Sequence, residues 1–161
     1  MIVLRRLLAS ALVVAVLSSA APAAADSCLP AAGRVGRTSI RGVRLGATAR
    51  LGDPRAVAAS YCVDHGGELS FAVDESSSVL LVVSTAAGDA VRGVGPGDPV
   101  SSLGAMKPLG RSASADVYLL GGENQIVIAT ARGRVAFVAA ADRLLLASRG
   151  KLSYWLRRLG Y

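Results

Sequence analysis

With 161 residues and a formal net charge of +7, the chain is a basic protein of one-domain size, and 52% of it is apolar. A single His and two Cys cannot furnish the four nitrogen and sulfur ligands of a structural zinc site. Aromatic residues make up 4% of the chain, too few to interleave with its arginines as a stacking platform for nucleic acid.

The first 25 residues read as a secretory signal peptide. Arg5 and Arg6 precede an uncharged run from Leu7 to Ala25, and Ala23-Ala24-Ala25 before Asp26 forms an A-x-A cleavage site. An uncleaved membrane anchor is a competing reading, but it needs about 20 strongly apolar residues. The second half of this run is Ala, Ser and Pro. A lipoprotein anchored through Cys28 is another, but it takes a small uncharged residue where Asp26 stands. Cleavage after Ala25 leaves residues 26–161 as a secreted chain with no later span for a membrane. It removes Arg5 and Arg6, and so lowers the formal charge from +7 to +5.

An exported chain meets oxidising conditions, so Cys28 and Cys62 are expected to form a disulfide. That bridge ties an N-terminal segment, residues 26–39, to the first half of the fold and stabilises it by about 3–4 kcal/mol in the chain-entropy model. Charge is unevenly spread along the mature chain. Six arginines lie between Arg34 and Arg55, opposed only by Asp53, whereas residues 56–91 carry five acids and no Lys or Arg. The stretch from Arg143 to Arg158 is basic again.

The phrase RGVRLGATARLG at 41–52 returns as RGVGPGDPVSSLG at 92–104. Each is followed by a matching layout when Gly66-Gly67 is set on Gly121-Gly122: a short apolar strand, a Gly-Gly turn, a longer strand, a polar turn and a further apolar strand. In ELSFAVD, Leu69, Phe71 and Val73 alternate with small or polar residues, as a strand with a buried face does. VLLVVS is a continuous apolar run, suited to a strand covered on both sides. QIVIAT and VAFVAA repeat the pattern around the Arg132-Gly133-Arg134 turn. Before each meander, RGV ends a lead strand, and Gly46 and Gly97 mark sharp turns that need positive φ. Thr48, and Asp98 with Pro99, then carry the signature of a helix start. These helices would end at Gly52 and Gly104. The sequence therefore predicts an α+β fold: a tandem repeat of strand, short helix and three-stranded antiparallel meander, over 40–90 and 91–161. The short helices are expected to lie on one face of the sheet. KLSYWLRRLGY adds a C-terminal amphipathic helix on that same face, with Leu152, Trp155, Leu156 and Leu159 on one stripe and Gly160 as its stop.

RGVRLGAT…LGDP resembles the G-x-[ST]…LG-x-P opening of the BamE/SmpA–OmlA superfamily. Two such units in tandem are similar in architecture to the β-lactamase inhibitory proteins. The resemblance spans roughly residues 40–141. It implies two α/β repeats sharing one sheet whose concave face grips a partner protein. The chain departs from the pattern in its short segment after Gly46, its lead strands, and a mature region with only seven aromatics. No functional residue carries over.

A catalytic set is not visible. His65 follows Asp64 directly, and neighbours on a strand face opposite ways, so an exposed turn histidine is expected. G-x-S-x-G does not occur. Asp74 and Glu75 sit together in a polar turn without EF-hand spacing. GVGPGDP lacks the lysine and the Ser/Thr of a phosphate loop. The expectation is a secreted, non-enzymatic binding protein without metal or cofactor, whose partner is another protein or an anionic envelope component rather than nucleic acid. A secreted hydrolase with an unrecognised site and a membrane-held envelope-assembly protein are the alternatives.

Overall fold

The computed structural model describes residues 28–112, 115–120 and 125–161. The signal-peptide reading and the Gly121-Gly122 turn lie outside the described residues. A small antiparallel hairpin comes first, β1 (Ser39–Ile40) and β2 (Val43–Arg44). Seven further strands form one antiparallel sheet: β3 (Ala58–Cys62), β4 (Glu68–Val73), β5 (Val79–Ser84), β6 (Lys107–Ser112), β7 (Ala115–Leu119), β8 (Ile126–Ala131) and β9 (Arg134–Ala141). Their spatial order is β3-β4-β5-β9-β8-β7-β6. Two short helices come last, α1 (Arg143–Leu146) and α2 (Arg149–Arg158). The α+β class holds, and β5 pairs with β9, from Leu81 opposite Ala141 to Ser84 opposite Val138, to put both meanders in one layer.

The period-2 pattern sorts the core into two faces. On β4, Leu69, Phe71 and Val73 join Ile126, Ile128, Val135 and Val138 on one face, while Ala72 joins Val127, Ala129, Phe137 and Ala139 on the other. Leu81, Val82 and Val83 are all fully buried, as the unbroken apolar run of β5 predicts. The second face is rich in alanine, at 72, 115, 129, 139 and 141, which leaves room for α1 and α2 to dock Leu145, Leu152 and Leu156 closely. Trp155 within α2 and Leu159 at its C-cap complete the predicted stripe, both half-buried, and Gly160 follows at φ 92.

Three expectations are corrected. No helix forms after Gly46. There the backbone runs extended against the start of β5: Gly46 N donates to Val79 O at 2.7 Å, Val79 N to Ala47 O at 2.9 Å and Ala49 N to Ser77 O at 2.9 Å. Sheet bonding has taken the groups a helix would have used, so the Thr48 cap signature is overridden. In the second half, only a four-residue 3-10 helix forms, Val100–Leu103, and no side chain caps it. Asp98 instead accepts from Gly95 N at 2.7 Å. Second, RGV is a turn rather than the end of a lead strand. Arg41 and Gly42 have φ 52 and 82, and Arg92 and Gly93 have φ 52 and 79. Two successive positive values make the tight turn whose twist suits a hairpin, and Arg132-Gly133 repeats them at φ 53 and 76. Third, the covering elements do not share a face. The helices take one side, while the N-terminal segment, the β1–β2 hairpin and residues 91–106 pack over the other through Val35, Val43, Leu45, Val91, Val94 and Leu103. The two basic stretches therefore lie over opposite faces.

The segments after the two doubled phrases dock alike. Gly97 N donates to Val135 O at 2.9 Å, Val135 N to Asp98 O at 2.8 Å and Val100 N to Gly133 O at 3.1 Å. This is the bonding seen between Gly46–Ala49 and β5, transferred to β9. Strand β6 carries no strand signal in its sequence. Lys107, Pro108 and Arg111 on it guard a sheet edge in the way edges are commonly protected.

Candidate functional site

A groove of about 800 Å³ opens between the β4–β5 turn and the two helices. One rim is the turn Asp74–Ser78. Asp74 Oδ1 accepts from Ser76 N at 2.9 Å, Ser76 Oγ at 2.7 Å and Ser78 N at 2.9 Å. The Ser76 hydroxyl, then the Ser78 backbone amide, hold its carboxyl below the ordinary aspartate value. Glu75 is next on the same rim. The opposite rim is α2, where Lys151, Tyr154, Trp155 and Arg158 recur at helical spacing and so project together. Tyr154 and Trp155 meet edge to face with centroids 5.4 Å apart, and Arg158 Nη1 donates to the Tyr154 hydroxyl at 3.1 Å. Leu80 and Leu145 lie beneath the groove on the helix-covered face, with Val57 beside them, while Val73 and Val79 border it but are buried in the core of the opposite face. Leu144 at 73% and Tyr154 at 49% are among the large apolar side chains left exposed.

A smaller hollow of about 450 Å³ lies on the other face, among Arg44, Arg50, Tyr61 and Phe71. Tyr61 stacks on Phe71 there, with centroids 6.1 Å apart.

Of the residues singled out in the sequence, Cys28 and Cys62 are joined by a disulfide. Leu29 extends that link by pairing in parallel beside Val63, at the end of β3. His65 is exposed at φ 66, in the turn before Gly66 and Gly67. Asp74 and Glu75 occupy the expected polar turn, but no local signal in the chain announces that a helix some 80 residues away faces them. No group of three or more His, Cys, Asp and Glu side chains among the described residues could hold a metal ion, and no described helix is long and apolar enough to cross a membrane.

Two polar clusters are completed only by residues distant in sequence. Arg41 Nε meets Asp89 Oδ2 at 2.6 Å, with side chains 5% and 0% exposed. The second cluster gathers on the helix-covered face. Ser70 Oγ donates to Glu68 Oε1 at 2.6 Å, lies 2.9 Å from Ser60 Oγ and 3.2 Å from the Tyr161 hydroxyl. Strand alternation puts Glu68 and Ser70 on one face, which is legible in sequence; the arrival of Tyr161 is not. Burial raises the Tyr161 hydroxyl above its ordinary value, and the ring packs on Phe137 at 5.0 Å.

The hydroxyls of Ser60 and Ser70 lower the Glu68 carboxyl below its ordinary 4.5. A depressed native value favours the folded state above the unfolded value, and that gain is lost as pH falls through the native one. Wild type is therefore expected to lose stability below about pH 4.5 more steeply than Glu68→Gln. The difference should be about 0.2–1 kcal/mol after solvent screening. Urea midpoints measured from pH 6 to pH 3 check this; parallel curves for the two proteins would refute it.

Compared with models of known protein families, with curated proteins and with solved structures, the chain matches none.

Proposed function

We propose that the chain is an exported, non-enzymatic binding protein, and that the groove between the β4–β5 turn and α2 receives its target, another protein or a component of the cell envelope. The observation that carries this reading is the groove itself. Exposed Leu144 and Tyr154 stand beside a concave apolar floor, and exposed apolar groups gathered at a concavity are the usual mark of an interaction site. Export is supported by the charged, apolar and A-x-A pattern of residues 1–25 and by the Cys28–Cys62 bond.

The same reading makes residues 40–90 and 91–161 copies of one unit, in the manner of the BamE/SmpA–OmlA superfamily. Support comes from the paired Arg-Gly turns and from the paired docking of 46–49 on β5 and 97–100 on β9. The grip differs from that of the β-lactamase inhibitory architecture. Here both faces of the central strands are covered, so the contact surface moves from the sheet to the sheet–helix groove.

The test uses protein recovered from culture medium, its N-terminus read by mass spectrometry and expected at Asp26. Immobilised wild type and the surface variant Tyr154→Ala/Lys151→Glu are exposed to the native envelope and supernatant fractions. A target held by wild type and retained about tenfold less by a variant of equal Tm is expected. Equal retention, or no target at all, would remove the groove from this role.

A further inference from the structure

We infer, building on the proposed binding role, that the groove's ligand is an extended peptide running from the carboxylates of Asp74 and Glu75 to the cations of Lys151 and Arg158. Its basic residue or amino end lies at the first rim and its acidic residue or carboxy end at the second. Apolar side chains between them rest on Val57 and Leu80 and against Tyr154.

The chemistry selects this class by elimination. The two rims have opposite charge, and among the described residues the Glu75 carboxylate and the Lys151 ammonium carry no ion pair. A polyanion would meet Lys151 and Arg158 favourably but would be repelled by the facing carboxylates, and it has no use for an apolar floor. An anionic bilayer is flat and presents one sign of charge, whereas the exposed aromatic and aliphatic groups here line a concavity with an acidic rim. A neutral glycan would stack on Tyr154 or Trp155, but it carries no charge to match either rim. A peptide offers both signs of charge at a fixed spacing with apolar side chains between them. Opposed rim charges fix which end of the peptide carries which sign, and the charged termini add to that pattern only when the basic residue comes first and the acidic residue last.

Trp155 is the chain's single tryptophan and lines the groove, so its emission reports occupancy directly. The experiment titrates residues 26–161 with an array of hexapeptides, their termini left charged, that have Lys first, Glu last and Leu, Val, Phe or Ala between. A second array has Glu first and Lys last. Saturable shifts in Trp155 emission are expected for members of the first array, with affinity about tenfold above their reversed counterparts. The exchange Glu75→Lys/Lys151→Glu, both at exposed positions, should erase that preference while circular dichroism and Tm stay unchanged. No shift from either array up to millimolar peptide overturns the inference, as does an equal response to both. A shift given only by phosphatidylglycerol vesicles, or only by heparin, overturns it in favour of a membrane or a polyanion. Concentration-dependent dimerisation lost in the exchange variant overturns it in favour of a second copy. If the arrays fail while the envelope target is still held through Tyr154 and Lys151, the binding role stands and only the peptide assignment falls.

Discussion

Replacing Asp89 with alanine is expected to destabilise the protein by about 3–5 kcal/mol, because it leaves a buried guanidinium without its counter-ion. The Asp89 side chain is fully buried and accepts from Arg41 Nε and from the Ser84 hydroxyl. The other two nitrogens of Arg41 donate to the backbone carbonyls of Pro30 and Ala31, the latter at 2.8 Å. Removing the carboxylate leaves two neutral acceptors for a full charge. The geometry leaves no slack for compensation. A Cβ at Gly33 would fall 1.9 Å from Asp89 Oδ1 and 2.7 Å from Arg41 Cζ, so the segment crossing the pair must be glycine there. The double variant Asp89→Ala/Arg41→Met removes both charges and is expected to cost less than Asp89→Ala alone. Urea unfolding of the three proteins decides the matter. A loss under about 1 kcal/mol for Asp89→Ala, the range of an exposed pair, would mean that the ion pair does not fasten the β1–β2 turn to the segment after β5.

The pair also explains why part of the molecule is unreadable in sequence. Strand identity comes from local signals: the alternation of Leu69, Phe71 and Val73, and the unbroken run Val79–Val83, depend only on which faces are buried. The α2 stripe and its Gly160 stop arise from helical spacing in the same way. Long-range bonding carries the rest. Thr48 has the side chain of a cap, yet its neighbours bond to Ser77 and Val79, and nothing within ten residues announces that. Arg41 looks like any other member of an arginine-rich stretch until Asp89, 48 positions later, closes on it. The groove is of the same kind. Its rims are each legible, one as a polar Asp-Ser turn and one as a basic-aromatic helix, but their apposition comes from α2 lying over the alanine-rich face. The doubled phrase points correctly to turns that need positive φ at Gly46 and Gly97. It misleads about the residues beyond those glycines, because an oxygen-bearing residue before a short polar run caps a helix only when no strand edge competes for the backbone.

Loss of the Cys28–Cys62 bond, by reduction or by Cys28→Ser, is expected to cost about 3–4 kcal/mol. The chain-entropy model gives that value for a closure across the 34 positions separating the two cysteines. The consequence reaches beyond the unfolded chain. Pro30 and Ala31 lie just after Cys28 in the chain, and their carbonyls are the acceptors that complete the Arg41 site. The bond to β3, with Leu29 N donating to Cys62 O at 2.8 Å and Asp64 N to Leu29 O at 2.8 Å, holds those carbonyls in place. The tether and the buried pair therefore stabilise one shared arrangement, and their losses should not add. Once Asp89→Ala has loosened the segment over Arg41, cutting the disulfide removes less. The double variant should be more stable than the sum of the single effects predicts by about 0.5–3 kcal/mol, the range for residues joined through a common network. Urea unfolding of the two single variants and the double variant under oxidising conditions measures this coupling. Strict additivity would separate the tether from the ion pair and reduce the disulfide to a constraint on the unfolded chain alone.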